Sequence, residues 1–223
     1  SNATLVCPTN ANGIFSKVIS SLPLDSGIVL TTGQAATSGS AIGIDSPEPT
    51  FATVSNSAPG DADLTTIAAQ TTNDACVLEF DFIPSGDTIK FRYTFASEEY
   101  NGPHGNYNCS INDVFGFFIS GPGFTGLTNI ALIPGTNIPV GVSTVNDGVG
   151  AAPNNPCYTN TNNNGPYTQY YNSNSGDQTW VYTGYTDVFT ATAPVSPCST
   201  YHLKLAIADA SDFISDSGVF IEA

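Results

Sequence analysis

The chain reads as an all-β protein, a two-sheet β-sandwich of jelly-roll type with one short N-terminal helix and a long Asn/Tyr-rich loop. Three observations predict it. Many segments alternate apolar and polar residues with the two-residue period of a strand, Gly, Pro, Asn and Asp punctuate nearly every interval, and a single stretch carries helical spacing. At 223 residues the chain can bury a substantial core as one domain.

Taken in order, Ser1-Asn2-Ala3 reads as the scar of tag cleavage, which leaves residues 4–223 as the domain. Ile14, Phe15, Val18, Ile19 and Leu22 then fall at helical spacing, with Asn10 or Asn12 as a cap and Pro23 as the stop. The β signal follows in Ser26 to Gly33, Cys76 to Pro84, Asp87 to Ser97, Asp113 to Ser120, Asn129 to Pro134, Pro139 to Asn146, Trp180 to Ala193, Thr200 to Asp209 and Gly218 to Ala223. Alternation assigns the faces, because neighbouring strand side chains point to opposite sides. Leu78, Phe80 and Phe82 share an apolar face opposite Glu79 and Asp81; Ile89, Phe91, Tyr93 and Phe95 share another opposite Lys90, Arg92 and Thr94. Tyr201, Leu203, Leu205 and Ile207 repeat the pattern, and the next residue on that face is Asp209.

Charge narrows the function. Four Lys and Arg stand against 19 Asp and Glu, a formal charge of −15, which opposes binding to a phosphate backbone or an anionic membrane surface. Carboxylates with so few cationic partners repel one another unless they are spread out, screened or neutralised by metal. No apolar run approaches the roughly 20 residues of a membrane span, and no signal peptide opens the chain. The five cysteines have no C-x-x-C pair, so disulfides in an oxidising compartment are the expectation, with Cys109–Cys157 first and Cys76–Cys198 second.

Three acidic clusters stand out: Asp61 with Asp63; Glu98 and Glu99 with Asn112 and Asp113; and Asp209, Asp212 and Asp216. Oxygen ligands crowded at strand junctions suit calcium, which takes about six to eight of them, although none has EF-hand spacing. Turn chemistry, with Asp capping backbone amides, is the alternative for each, most strongly for Asp61 and Asp63. Residues 146–179 form a long segment of Asn, Gly, Ser and Tyr, where Tyr158, Tyr167, Tyr170 and the nearby Trp180 offer flat amphipathic surface for a sugar or peptide. Asn101, His104 and Tyr107 join them as candidate ligand contacts. Catalysis has no visible home: adjacent Glu98 and Glu99 point to opposite faces of a strand and cannot flank one glycosidic bond unless the strand has turned, and no G-x-S-x-G, H-E-x-x-H or phosphate loop is present.

The blocks LDSGIVLTTG, DACVLEFDFIP, FRYTFASEEY, NDVFGFFISGPG, NIALIPGTNIPV and CSTYHLKLAIADASDFISDSGVFIEA, in this order from about Leu24 to Glu222, resemble the choice-of-anchor L family. The resemblance implies a secreted or surface domain of the kind frequent in Bacteroidetes, set beside the other domains of a larger protein. A looser architectural similarity to ligand-binding domains of large bacterial adhesins implies a calcium-organised binding surface. The expectation is therefore an extracellular, non-catalytic adhesion module that takes a glycan, peptide or protein ligand. A structural spacer is the alternative, and a carbohydrate-active hydrolase the third reading.

Overall fold

The computed structural model describes residues 2–17, 21–35, 53–100, 107–108, 110–148, 166–174, 180 and 182–223. They form two antiparallel sheets packed as a sandwich. One sheet has the order β1 (Ala3–Val6), β4 (Thr72–Phe82), β11 (Tyr201–Ala210), β6 (Val114–Ser120) and β7 (Thr128–Asn129). The other runs β2 (Asn12–Ser16), β3 (Ser26–Thr31), β12 (Ser217–Glu222), β5 (Thr88–Ser97), β9 (Gly184–Thr186) and β8 (Tyr171–Ser173), with β10 (Phe189–Pro194) also on β5.

The alternation read from the sequence builds the core between the sheets. Tyr93 and Phe95 of β5 meet Phe115, Phe117 and Ile119 of β6, Leu203, Leu205 and Ile207 of β11, and Val219 and Ile221 of β12. Tyr93 lies 5.1 Å from Phe115 and edge-on to Phe117 at 5.3 Å, and each such pair adds about 1 kcal/mol beyond its buried area. Two further clusters cover the outer faces. Phe15, Leu22, Trp180 and Tyr182 pack on Phe220 of the second sheet, while Leu64 and Ala68 of the helix α1 (Ala62–Ala68) pack on Val114, Phe118, Ala206 and Ala208 of the first.

Several expectations are corrected. Asn12–Ser16 is the edge strand β2, not the start of a helix, and Val18 and Ile19 lie outside the described residues. Pairing with β3 supplies backbone hydrogen bonds, Phe15 turns inward onto Phe220 and Ile14 stays 89% exposed; a nine-residue run is also shorter than the roughly 12–15 residues that sustain a helix on local preference. The helix lies instead at Ala62–Ala68, where the Asp61 carboxylate accepts from the N–H groups of Asp63 and Leu64 and Lys204 Nζ lies 2.6 Å from both Asp61 Oδ2 and Asp63 Oδ2. This first acidic pair is thus a helix cap and an ion pair. Ala3, set aside as a scar, pairs with Phe80 in β1. The disulfide joins Cys7 to Cys76, because the β1–β4 register that sets Val6 against Val77 brings these two together, while Cys198 is free and exposed. Cys109 and Cys157 lie outside the described residues. Trp180 to Ala193 is broken: β9 pairs with Ala96 and Ser97, β10 with Thr88 to Tyr93, and the Thr94 hydroxyl donates to Thr186 O (2.6 Å) across the gap.

Candidate cation-binding rim

Antiparallel pairing decides where the acidic residues meet. β5 and β11 end at the rim of the sandwich where β4, β6 and β12 begin, so Ser217 faces Ser97, Val114 faces Ala208, and Asn73 faces Asp209. The residues flanking those pairs are Glu98 and Glu99 after β5, Asp113 before β6, Asp209 at the end of β11, Asp216 before β12, and Asp74 early in β4. All six are buried: Asp74, Asp113, Asp209 and Asp216 have no exposed surface, Glu99 has 1% and Glu98 has 5%. The first sheet contributes Asp74, Asp113 and Asp209, and the second contributes Glu98, Glu99 and Asp216.

Part of this charge is met by the backbone. Asp113 Oδ1 accepts from the N–H of Ala210 (2.8 Å) and its Oδ2 lies 2.7 Å from Ser217 Oγ, which is 2.8 Å from Ser97 Oγ. Asp74 accepts from the N–H groups of Ala58 (2.6 Å) and Asn56 (2.8 Å), and Asp216 Oδ2 from that of Val54 (3.0 Å), which pins the segment 53–58 to the rim. The backbone is drawn close here as well, since a Cβ on Gly33 would land on the Asp216 carboxylate. Oε2 of Glu99, by contrast, is buried without a hydrogen-bond donor, and Asp209 has the Thr32 hydroxyl and the Asp113 carboxyl beside it but no hydrogen bond of ordinary geometry to either oxygen. An unmatched carboxylate in such a place costs several kcal/mol in its ionised form. Burial, reinforced by the charges of Asp113 and Asp216, holds the Asp209 carboxyl well above the ordinary carboxylate range. Burial pushes Glu99 up to about 10, with Asp113, Asp212, Glu98 and Asp216 adding to it. It pushes Asp113 up to about 7 against the opposing hydrogen bonds of Ala210 and Ser217.

The chain's own cations are elsewhere. Lys204 bridges Asp61 and Asp63, Arg92 pairs with Glu222, and Lys17 and Lys90 are exposed, which accounts for all four Lys and Arg. His202 pairs with Asp81 at 2.9 Å on the outer face of the first sheet.

The remaining candidates divide. Asp212, half-buried, faces Glu99 and Asp113 electrostatically, and its Oδ1 accepts from the N–H of Ile214 (3.2 Å). Asn112 is committed to loop packing: its Oδ1 accepts from the Ser143 hydroxyl (2.6 Å) and N–H (3.1 Å), and its Nδ2 donates to Ala68 O. Glu98 and Glu99 lie in the bend past the end of β5, so the strand has turned, yet both are buried rather than set across an open cleft. Among the described residues no three His, Cys, Asp or Glu side chains converge as a ready-made metal ligand set. Trp180 is not a surface platform: it is fully buried, edge-on to Phe220 at 5.5 Å, with its indole N–H donating to Ser21 Oγ (2.8 Å). Tyr170 packs edge-on to Phe189 at 5.2 Å and stacks on Tyr167 at 6.4 Å, leaving both half-buried. Tyr107 is 41% exposed and its N–H donates to Glu99 O (3.1 Å). Asn101, His104 and Tyr158 lie outside the described residues. The sequence reading missed Asp74, which takes left-handed backbone (φ 50°) just inside β4 and whose burial no local pattern announces.

Fold and rim together define a β-sandwich module with a buried acidic end, in which no helix among the described residues is long and apolar enough to cross a membrane. The chain belongs to the Choice-of-anchor L domain family, whose model matches residues 1–223, the whole chain. Membership implies a surface-associated module. No similar protein was found among curated proteins or solved structures.

Proposed function

We propose that the chain is an extracellular, non-catalytic adhesion module of jelly-roll type whose acidic rim binds calcium and thereby shapes a surface for a glycan or peptide. The observation that carries the reading is the Asp209 carboxylate, fully buried among like-charged neighbours with no hydrogen bond of ordinary geometry to either oxygen and only the Thr32 hydroxyl to offset their charge, in a chain whose four Lys and Arg lie elsewhere. A hard divalent cation is the chemistry that such oxygens accept. Asp209, Glu99, Glu98, Asp113 and Asp216 would hold it, with Asp212 reaching in from the β11–β12 connection. Asn112 drops out of the ligand set because its oxygen is already taken.

Thermal melting with calcium at about 1 mM and with chelator tests this, since extracellular modules bind in that range. Ligand bound only to the folded state stabilises by about 1.4 kcal/mol at a tenfold excess over Kd, and a chain of this size gains about 2–4 °C per kcal/mol, so a rise of about 3–6 °C is expected. An unchanged melting temperature sinks the reading. It would favour a structural spacer whose rim acids stay protonated, a second reading supported by the lack of a preassembled ligand set among the described residues. Glycan and peptide arrays probe the ligand, and silence on both also favours the spacer.

A further inference from the structure

Lys204 alone among the four Lys and Arg is buried. The alternation along β11 sends Leu203 and Leu205 into the core, so Lys204 projects from the opposite face of the first sheet, the side that α1 covers, with its Nζ over the Phe118 ring at 5.7 Å. There Nζ lies 2.6 Å from Asp61 Oδ2 and 2.6 Å from Asp63 Oδ2. The Lys204 and Asp61 side chains are 9% and 14% exposed, whereas Asp63 is 40% exposed. The other oxygen of Asp61, Oδ1, accepts from the backbone N–H groups of Asp63 (3.0 Å) and Leu64 (3.1 Å). Lys204 and Asp61 are 143 residues apart in sequence, so only the folded chain brings this amine and this carboxyl together.

We propose that Lys204 and Asp61 form an intramolecular isopeptide bond, with Asp63 as the proton relay. The site is separate from the acidic rim, and the inference is independent of the calcium reading. Each part of an acyl transfer is in place. Nζ is the nucleophile, held by the fold beside one carboxyl group, and such fixed proximity replaces a bimolecular encounter with an effective concentration on the order of 10⁵ M or more. The two N–H groups on Asp61 Oδ1 stabilise the charge that develops on that oxygen in the tetrahedral intermediate. Burial opposes the Lys204 charge, but the hydrogen bonds and charges of Asp61 and Asp63 outweigh it and hold the amine above its ordinary range. The free amine therefore arises by handing a proton to Asp63, which lies within hydrogen-bond reach. The Nζ–Cγ bond forms and the Cγ–Oδ2 bond breaks. Of the three ammonium protons one stays on the amide nitrogen and two leave on Oδ2 as water, relayed through Asp63, which ends ionised as it began. A cavity of about 420 Å³ lined by Val6, Pro59, Asp61, Val77 and Lys204 receives that water. The product replaces two charges in a largely dry site by a neutral amide, while the half-exposed Asp63 keeps its contact with solvent.

The test is the mass of the whole wild-type chain in denaturant after reduction, followed by a tryptic map. The mass is expected to fall short of the sequence value by one water. Trypsin cuts after Lys and Arg, which stand at 17, 90, 92 and 204. The bond blocks the cut at Lys204 and joins peptide 18–90 to peptide 93–223, and fragmentation of the joined pair is expected to place the link between Lys204 and Asp61. Lys204→Arg keeps a cation beside both aspartates but offers no free amine, so it should show its full sequence mass. Asp63→Ala removes the relay at a half-exposed position while Lys204 and Asp61 remain, and most freshly purified chains should then be unlinked. A cooperative urea transition in each variant separates loss of the bond from loss of the fold. A wild-type chain of full mass, cut by trypsin after Lys204, overturns the inference and leaves Lys204 an ion pair only. An Asp63→Ala chain linked in the same yield as the wild type overturns the relay role of Asp63.

Discussion

Replacing Asp113 with Asn substitutes a neutral group of the same shape at a position with no exposed surface, where Oδ1 can still accept from Ala210 and the neighbouring Ser217 hydroxyl remains in place. In the wild-type chain Asp113 is pushed up to about 7 from its ordinary 3.8, chiefly by burial. The folded state therefore holds this proton more tightly than the unfolded state. The stability it contributes is fully present below about pH 4 and is lost as pH rises to about 7, at about 1.4 kcal/mol per pH unit and about 4 kcal/mol in all. Neighbouring Asp209 and Glu99 titrate together with it, so the fall belongs to the group. Urea unfolding in chelator, followed by tryptophan fluorescence between pH 4 and 8, should show Asp113→Asn gaining on the wild-type chain as pH rises, by up to about 4 kcal/mol, with Asp209 and Glu99 keeping a share of the pH dependence. Saturating calcium should abolish most of that gain, because the ion then compensates the ionised carboxylate. Parallel pH curves for the two proteins in chelator would refute the reasoning, since Asp113 would then be ionised and compensated by something else.

Lys204→Met leaves two aspartates at the start of α1 without their shared cation in a site where the lysine side chain is 9% exposed, and a loss of about 3 kcal/mol in urea unfolding is expected. Cys7→Ser opens the loop closed by the Cys7–Cys76 bond, whose sequence separation is 69, and chain entropy puts the loss near 4 kcal/mol. Reduction of the wild-type chain should match that loss. Gly33→Ala places a methyl group on the Asp216 carboxylate, so calcium affinity by calorimetry should fall at least about tenfold, equivalent to about 1.4 kcal/mol.

Strand alternation carried most of the fold because each strand has one face on a dry core, and the same rule extended from Tyr201 to Ile207 placed Asp209 inside before any contact was known. The irregularity in pairing between Ile207 and Asp209 does not move Asp209 to the surface. Local patterns failed where pairing between distant segments decides. Ile14 and Phe15 fit a helix by spacing, yet β3 offers Asn12–Ser16 an open edge. Cys7 finds Cys76 only because β1 lies beside β4, a neighbour that spacing along the chain does not reveal. Trp180 sits in a segment poor in aliphatic residues and looks exposed in sequence, but Phe15, Leu22 and Phe220 converge on it from other parts of the chain. Within the rim, Glu98, Glu99, Asp113, Asp209 and Asp216 were legible as acids at strand ends, whereas the spent oxygen of Asn112 and the burial of Asp74 depend on hydrogen bonds to Ser143 and to the 53–58 segment, partners that local sequence does not reveal.

The most direct measurement is a calorimetric titration of calcium chloride into the wild-type chain and into Asp209→Asn at pH 7.5. A saturable heat for the wild type, weakened at least about tenfold in the variant, is the expected result. A wild-type chain that takes up no calcium at millimolar concentration, or a variant that binds as tightly as the wild type, would contradict the assignment of the rim as a cation site built around Asp209.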